Sequence, residues 1–192
     1  MHRLLSALLA IGLLFGTGGC SSDTETDRSS AEAPQTSQQA QAGTSYETNP
    51  VPAPDLTLET MDGRQINLAD QNGKVILVNF WATWCAPCRR EIPDLINLYS
   101  EMKDEGLMIV GIAVDQEGAK VVKPYVQKQD INYPIVLDPD QSTEKHFDAM
   151  YGLPTTYVVN TEGKIVRRVL GVFPVEDMRP TLNDMLASAP SA

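Results

Sequence analysis

The sequence predicts a single α/β domain: a three-layer sandwich with a central mixed sheet, flanking helices and an N-terminal hairpin. Three observations carry that expectation. Two continuous apolar runs, Val75 to Trp81 and Leu107 to Val114, have the β-branched content of strands covered on both faces. Between them Ile92, Leu95, Ile96, Leu98, Tyr99 and Met102 recur at helical spacing. A strand–turn–strand pattern followed by a helix then closes the chain, and such alternation of strands with helices belongs to layered α/β domains.

The chain opens with an export signal. His2 and Arg3 precede the apolar run Leu4 to Phe15, then Gly16, Thr17, Gly18, Gly19 and Cys20. The apolar run is about twelve residues, short of the roughly twenty that cross a bilayer as a helix. Gly-Gly-Cys at its end resembles the bacterial lipoprotein signal, which implies lipid on Cys20 and a membrane anchor. Thr17 departs from that pattern, which usually has an apolar residue there; ordinary signal cleavage is the alternative. Residues 20–50 are rich in Ser, Thr, Gln, Ala and Glu without apolar periodicity. Such a stretch buries too little to offset the entropy of ordering, and is read as a disordered tether with a reach of roughly 30 Å. Residues 51–192 remain for one folded domain.

Within that domain, Leu56 to Glu59 and Gln65 to Leu68 alternate about Asp62-Gly63 and form the expected hairpin. Val75 to Trp81 follows as a central strand. The helix over Pro87 to Asp104 ends at Gly106, and Pro93 should kink it or mark its restart. After the second central strand come a short helix over Gly118 to Lys128, a strand over Tyr133 to Leu137 and a small helix over Thr143 to Met150. Thr156 to Asn160 and Ile165 to Leu170 flank the turn Thr161-Glu162-Gly163-Lys164. A last helix carries Met178, Leu182, Met185 and Leu186, with Pro180 either in its first turn or at a kink.

The chemistry lies in Trp84-Cys85-Ala86-Pro87-Cys88, two thiols two residues apart between a strand and a helix. A Cys at a helix start faces unpaired N–H groups and the positive end of the dipole, which favour its thiolate. Cys85 is therefore the expected nucleophile, and Cys88, three residues on along the same face, the resolving thiol. A closed zinc site needs four Cys or His ligands, and beyond the pair only Cys20 and His146 remain after residue 19. The 15 basic and 25 acidic residues argue against nucleic acid as a partner. They also require that membrane attachment come from lipid, since anionic headgroups repel an acidic domain. Three cysteines, one pair and one at the lipid position, fit an exported protein whose dithiol works rather than staples.

The stretch Ala53 to Leu186 resembles the thioredoxin-like proteins of the TlpA/ResA type, exported thiol-disulfide oxidoreductases. The resemblance rests on Ala53-Pro54-Asp55, Asn72-Gly73-Lys74, Asn79-Phe80-Trp81-Ala82-Thr83-Trp84-Cys85-Ala86-Pro87-Cys88, Glu91-Ile92-Pro93 and Gly152-Leu153-Pro154-Thr155-Thr156. It implies a thioredoxin-like sandwich and a cis Pro154 beside the dithiol, where spacing alone favours a trans proline at a strand start. It also implies that the backbone before it, at Leu153, pairs with an extended substrate, with Trp84 and Pro87 completing the substrate-binding surface. Trp81 packs beneath; a plain core aromatic is the alternative for both tryptophans and the favoured role for Trp81. Glu91 is a candidate proton acceptor for Cys88, the alternative being a solvated surface Glu. Thioredoxins proper carry Asp where this chain has Asn79, so any acid–base role passes to Glu91 or water.

The expected activity is extracytoplasmic protein-disulfide exchange without a cofactor. The resemblance makes apocytochrome c cysteines the leading substrate and a membrane dithiol reductase the electron donor. Two alternatives stay open: a disulfide oxidant or isomerase, and a copper or zinc chaperone using the thiols with His146. Peroxide reduction is discounted, since the Thr it needs three residues before the reactive Cys is Ala82 here.

Overall fold

The computed structural model describes residues 43–147 and 152–189. The export signal, Cys20 and residues 20–42 of the expected tether lie outside the described residues, as does Met150. The strands are β1 (Thr44–Pro52), β2 (Thr57–Glu59), β3 (Gln65–Asn67), β4 (Val75–Trp81), β5 (Leu107–Ala113), β6 (Ile135–Leu137), β7 (Thr155–Val159) and β8 (Lys164–Leu170). The helices are α1 (Ala86–Met102), α2 (Ala119–Lys128) and α3 (Val175–Ala187). Six strands form one mixed sheet in the order β1-β8-β7-β4-β5-β6, and β2 with β3 forms a separate hairpin. Strands β4, β5 and β6 run parallel, while β7, β8 and β1 join by antiparallel pairing. This is the thioredoxin-like α/β fold that the sequence predicts.

Every residue of β4 and of β7 is buried, as continuous apolar runs require in the middle of a covered sheet. Successive side chains of β4 point to opposite faces. Asn79 meets α1 on one face, and Trp81, on the same side, packs its ring against Tyr125 of α2. Phe80 turns to the other, where Phe147 and Tyr157 meet it edge-on. Helix α1 buries Cys88, Glu91, Ile92, Leu95, Leu98 and Met102 and contacts both β5 and α3. It runs unbroken through Pro93, because that residue is exposed and the N–H it lacks would have lain on the solvent side. After a 3-10 turn the chain leaves α1 at Gly106, whose φ of 108° is the left-handed conformation that favours glycine.

Two expectations need correction. Residues 44–50, assigned to the tether, belong to β1, which pairs with β8 from Thr44↔Leu170 to Pro52↔Lys164. The pairing is made by the main chain and leaves every β1 side chain at least partly exposed, so no apolar periodicity announces it. The helix expected over Thr143 to Met150 is only a 3-10 turn over Thr143–His146, with Phe147 already extended. The buried Asp138 carboxylate takes the N–H groups of Ser142 and Thr143, and the extended backbone then delivers the Phe147 ring to Phe80 and Tyr157.

Leu95 has no exposed surface and anchors α1 in the core. Leu95→Ala is expected to lower the free energy of unfolding by about 2–5 kcal/mol. Urea denaturation checks this, and a loss below about 1 kcal/mol would show that α1 does not depend on this contact.

Candidate active site

The last residue of β4 leads through Ala82-Thr83-Trp84 to Cys85, the N-cap of α1 (φ −76°, ψ 109°). Cys85 and Cys88 form a disulfide with Cα atoms 5.3 Å apart. The Cys88 N–H donates to Cys85 Sγ at 3.3 Å, so the sulfur occupies the place of an N-cap oxygen. Pro87 sits in the first turn, where a missing N–H costs nothing. Cys85 keeps 4% exposure and Cys88 none, which leaves Cys85 as the sulfur within reach of a second protein.

The loop before Cys85 is held on both sides of Thr83. Its N–H donates to the Asp115 carboxylate at 3.0 and 3.2 Å and its hydroxyl to the same carboxylate at 2.5 Å. Its carbonyl accepts from Arg89 Nη1 at 3.0 Å. The sequence reading missed Asp115. Its one signal was position, directly beyond the apolar run of β5, at the carboxyl ends of parallel strands where α/β sheets build their sites. Next to this clamp Trp84 is 65% exposed and open to solvent beside the disulfide, while Trp81 is fully buried.

Pro154 is buried and its bond to Leu153 is cis. It immediately precedes Thr155, which pairs with Phe80 of β4 and with Leu170 of β8, so it stands at the end of the sheet that carries the dithiol. Leu153 is half-buried. The Pro154 carbonyl accepts from the Gly171 N–H at 2.9 Å, and the Thr155 hydroxyl donates to the Gly152 carbonyl at 2.7 Å.

Glu91 is not a solvated surface residue: it has no exposed surface. Its Oε1 accepts from Asn79 Nδ2 at 2.8 Å and its Oε2 from the Phe173 N–H at 2.7 Å. Asn79 Nδ2 also donates to Thr156 Oγ1 at 2.9 Å, tying the carboxylate to β7 two residues beyond Pro154. Burial pushes the Glu91 carboxyl up to about 7, the Phe173 and Asn79 donors oppose it, and the nearby Asp94 carboxylate adds to it. A buried carboxyl poised there can exchange a proton near neutral pH. His146 lies apart, in a groove with Thr48, Pro54 and Arg168. Among the described residues no three His, Cys, Asp or Glu side chains gather as a metal-binding group.

A thioredoxin-like sheet with a disulfide at the N-cap of the helix after its central strand defines a thiol-disulfide oxidoreductase of the thioredoxin-like class. A family model described as the AhpC/TSA family matches residues 51–168, and the chain belongs to that family. It is 40% identical over 119 residues to the thiol-disulfide oxidoreductase ResA of Bacillus subtilis, covering 62% of this chain and 65% of that protein. The match thus spans about two thirds of the relative's length. Among solved structures, it resembles a thiol:disulfide interchange protein of the thioredoxin family from Chlorobium tepidum, with 32% identity and a TM-score of 0.63. That match covers 73% of this chain and 99% of the other. A secreted thiol-disulfide isomerase from Corynebacterium glutamicum shares the fold, with 23% identity and a TM-score of 0.69 over 77% of this chain and all of the other.

The folded chain holds the Glu91 proton more tightly than an unfolded one, about 7 against 4.5. The stability this contributes is fully present below 4.5 and is lost as pH rises through 7. Glu91→Gln removes the titration and is expected to abolish that loss, about 3 kcal/mol across the interval. Urea unfolding of both proteins over this range checks it, and identical pH slopes refute it. Asn79→Asp exchanges a donor for a second carboxylate and is expected to raise the Glu91 midpoint by about one pH unit or more. Carbon-13 NMR of the Glu91 carboxyl reads the shift, and an unmoved midpoint contradicts the role given to Asn79.

Proposed function

We propose that this protein is an extracytoplasmic reductant of protein disulfides, anchored to a membrane by lipid on Cys20. The observation that carries the reading is the disulfide itself. It is set at a helix N-terminus with one sulfur reachable and the other buried on the same face of α1 as a protonatable carboxyl. In the reduced protein, the Cys85 thiolate attacks a substrate disulfide, forms a mixed disulfide and expels one substrate thiolate, which takes up a proton. Cys88 then loses its proton to Glu91 and attacks Cys85 Sγ, releasing the second substrate thiolate and leaving the enzyme disulfide. Two electrons and two protons return from a membrane dithiol reductase. Trp84 offers an exposed aromatic surface to the substrate chain, and the backbone at Leu153, just before Pro154, pairs with it, with Pro87 bordering the contact.

The substrate we assign is a pair of apocytochrome c cysteines awaiting haem attachment, which the resemblance to exported oxidoreductases of the TlpA/ResA type implies. The direction of electron flow turns on a small difference, since about 30 mV in the two-electron potential corresponds to only 1.4 kcal/mol. An isomerase role uses the same geometry, and the Corynebacterium glutamicum protein bears that name.

Cys88→Ser is expected to accumulate mixed disulfides with protein substrates through Cys85, and these should vanish when Cys85 is also replaced. Mass spectrometry of alkylated extracts reads both, and a Cys88→Ser protein that traps no substrate at all overturns the proposal. Glu91→Gln should slow the resolving step at neutral pH by about 10²-fold while leaving the first attack by Cys85 unchanged. Stopped-flow kinetics with a disulfide peptide separates the two steps, and equal slowing of both would remove Glu91 from the proton transfer.

A further inference from the structure

The peptide unit between Val172 and Phe173 is used at both ends. Its N–H donates to Glu91 Oε2 at 2.7 Å, and its carbonyl accepts from the Gly43 N–H at 2.6 Å. One residue earlier, the Gly171 N–H donates to the Pro154 carbonyl at 2.9 Å. Three consecutive residues between β8 and α3 therefore join the buried carboxyl, the cis proline and the first residue before β1.

Position 43 tolerates only glycine at this approach. A Cβ there would stand 2.6 Å from the Leu170 and Val172 carbonyl oxygens and 2.8 Å from the Gly171 carbonyl carbon, all of them backbone atoms that cannot swing aside. Gly171, with a φ of 87°, lies against Gly43. Hydrogen bonds in series polarise one another, so a donor on the Val172 carbonyl strengthens the Phe173 N–H as a donor to an anion.

We propose that Gly43 is a positioning residue of the active site: its N–H fixes and polarises the Val172–Phe173 peptide that holds Glu91, so that the N-terminal strand takes part in setting the site. This rests on the reading of Glu91 as the proton acceptor for Cys88. The ionisable group acting on Glu91 is Asp94, one turn on along α1, while Tyr133, from the chain entering β6, is itself raised by the Glu91 charge. From β4 it meets the uncharged Asn79, which also donates to Thr156 of β7. The Gly43 bond therefore acts on Glu91 through the Phe173 N–H.

The test uses the full chain in two variants. Gly43→Ala introduces the clash, and an amide-to-ester replacement at Gly43 removes only its N–H; if the alanine variant fails to fold, the ester decides. The midpoint of the Glu91 carboxyl, followed by carbon-13 NMR, is expected to rise by about half to one pH unit as its donor weakens. Glu47→Ala breaks the exposed Glu47–Arg167 pair on the same strand and is expected to leave the midpoint in place. No rise in the ester variant, or an equal rise in Glu47→Ala, overturns the inference. The pH profile of the resolving step is measured in parallel. A midpoint that moves while this profile stays fixed refutes the proton role of Glu91 and leaves the positioning role of Gly43 standing.

Discussion

Glu91 has no surface open to water, so each of its oxygens must be given a donor by the protein itself. One donor is the Asn79 amide of the central strand, the other the backbone N–H of Phe173 ahead of the last helix. A buried carboxyl left without them would carry an uncompensated desolvation cost of several kcal/mol. That requirement makes three distant stretches of chain converge within one turn of Cys88. It also explains why asparagine suits position 79: Asn79 donates to the carboxyl and to Thr156 at once, which an ionised aspartate cannot do.

The disulfide is served by a second set of contacts that do not touch it. Asp115 and Arg89 grip the three polar groups of Thr83, so the chain between β4 and Cys85 has little freedom to swing. A nucleophile must meet its target within a narrow range of distance and angle. Holding the residue two before it is one way to secure that range without crowding the sulfur. The exposed Trp84 is then presented from a fixed backbone.

Much of this was legible in the sequence, and for identifiable reasons. Strands β4 and β5 show as apolar runs because both their faces are covered, α1 shows through its period, and Asp62-Gly63 marks the hairpin between β2 and β3. The cysteine pair and Pro154 are recognisable because their spacing and neighbours are distinctive. What escaped was held by backbone. Strand β1 docks through main-chain bonds and leaves its side chains largely outside, so its composition looks like that of a tether. The donor from Phe173 to Glu91 is an N–H that any residue but proline would supply, so no letter betrays it. The run from Thr143 has the composition of a helix but forms only a short turn, because the Asp138 carboxylate that takes its N–H groups lies five residues upstream, outside the run itself.

Among the described residues, each of the three helices carries an internal proline, at positions 93, 124 and 180, and all three are exposed. A proline frees the carbonyl one turn before it, here that of Arg89, Lys120 and Glu176, and a freed carbonyl is harmless only while it can meet solvent. Rolling any of these helices about its axis would carry that oxygen inward with nothing to bond it, a loss of about 1–3 kcal/mol. The prolines thus act as keels. They fix which side of each rod faces out, and for the first helix that choice is also what keeps one sulfur and one carboxyl turned toward the interior.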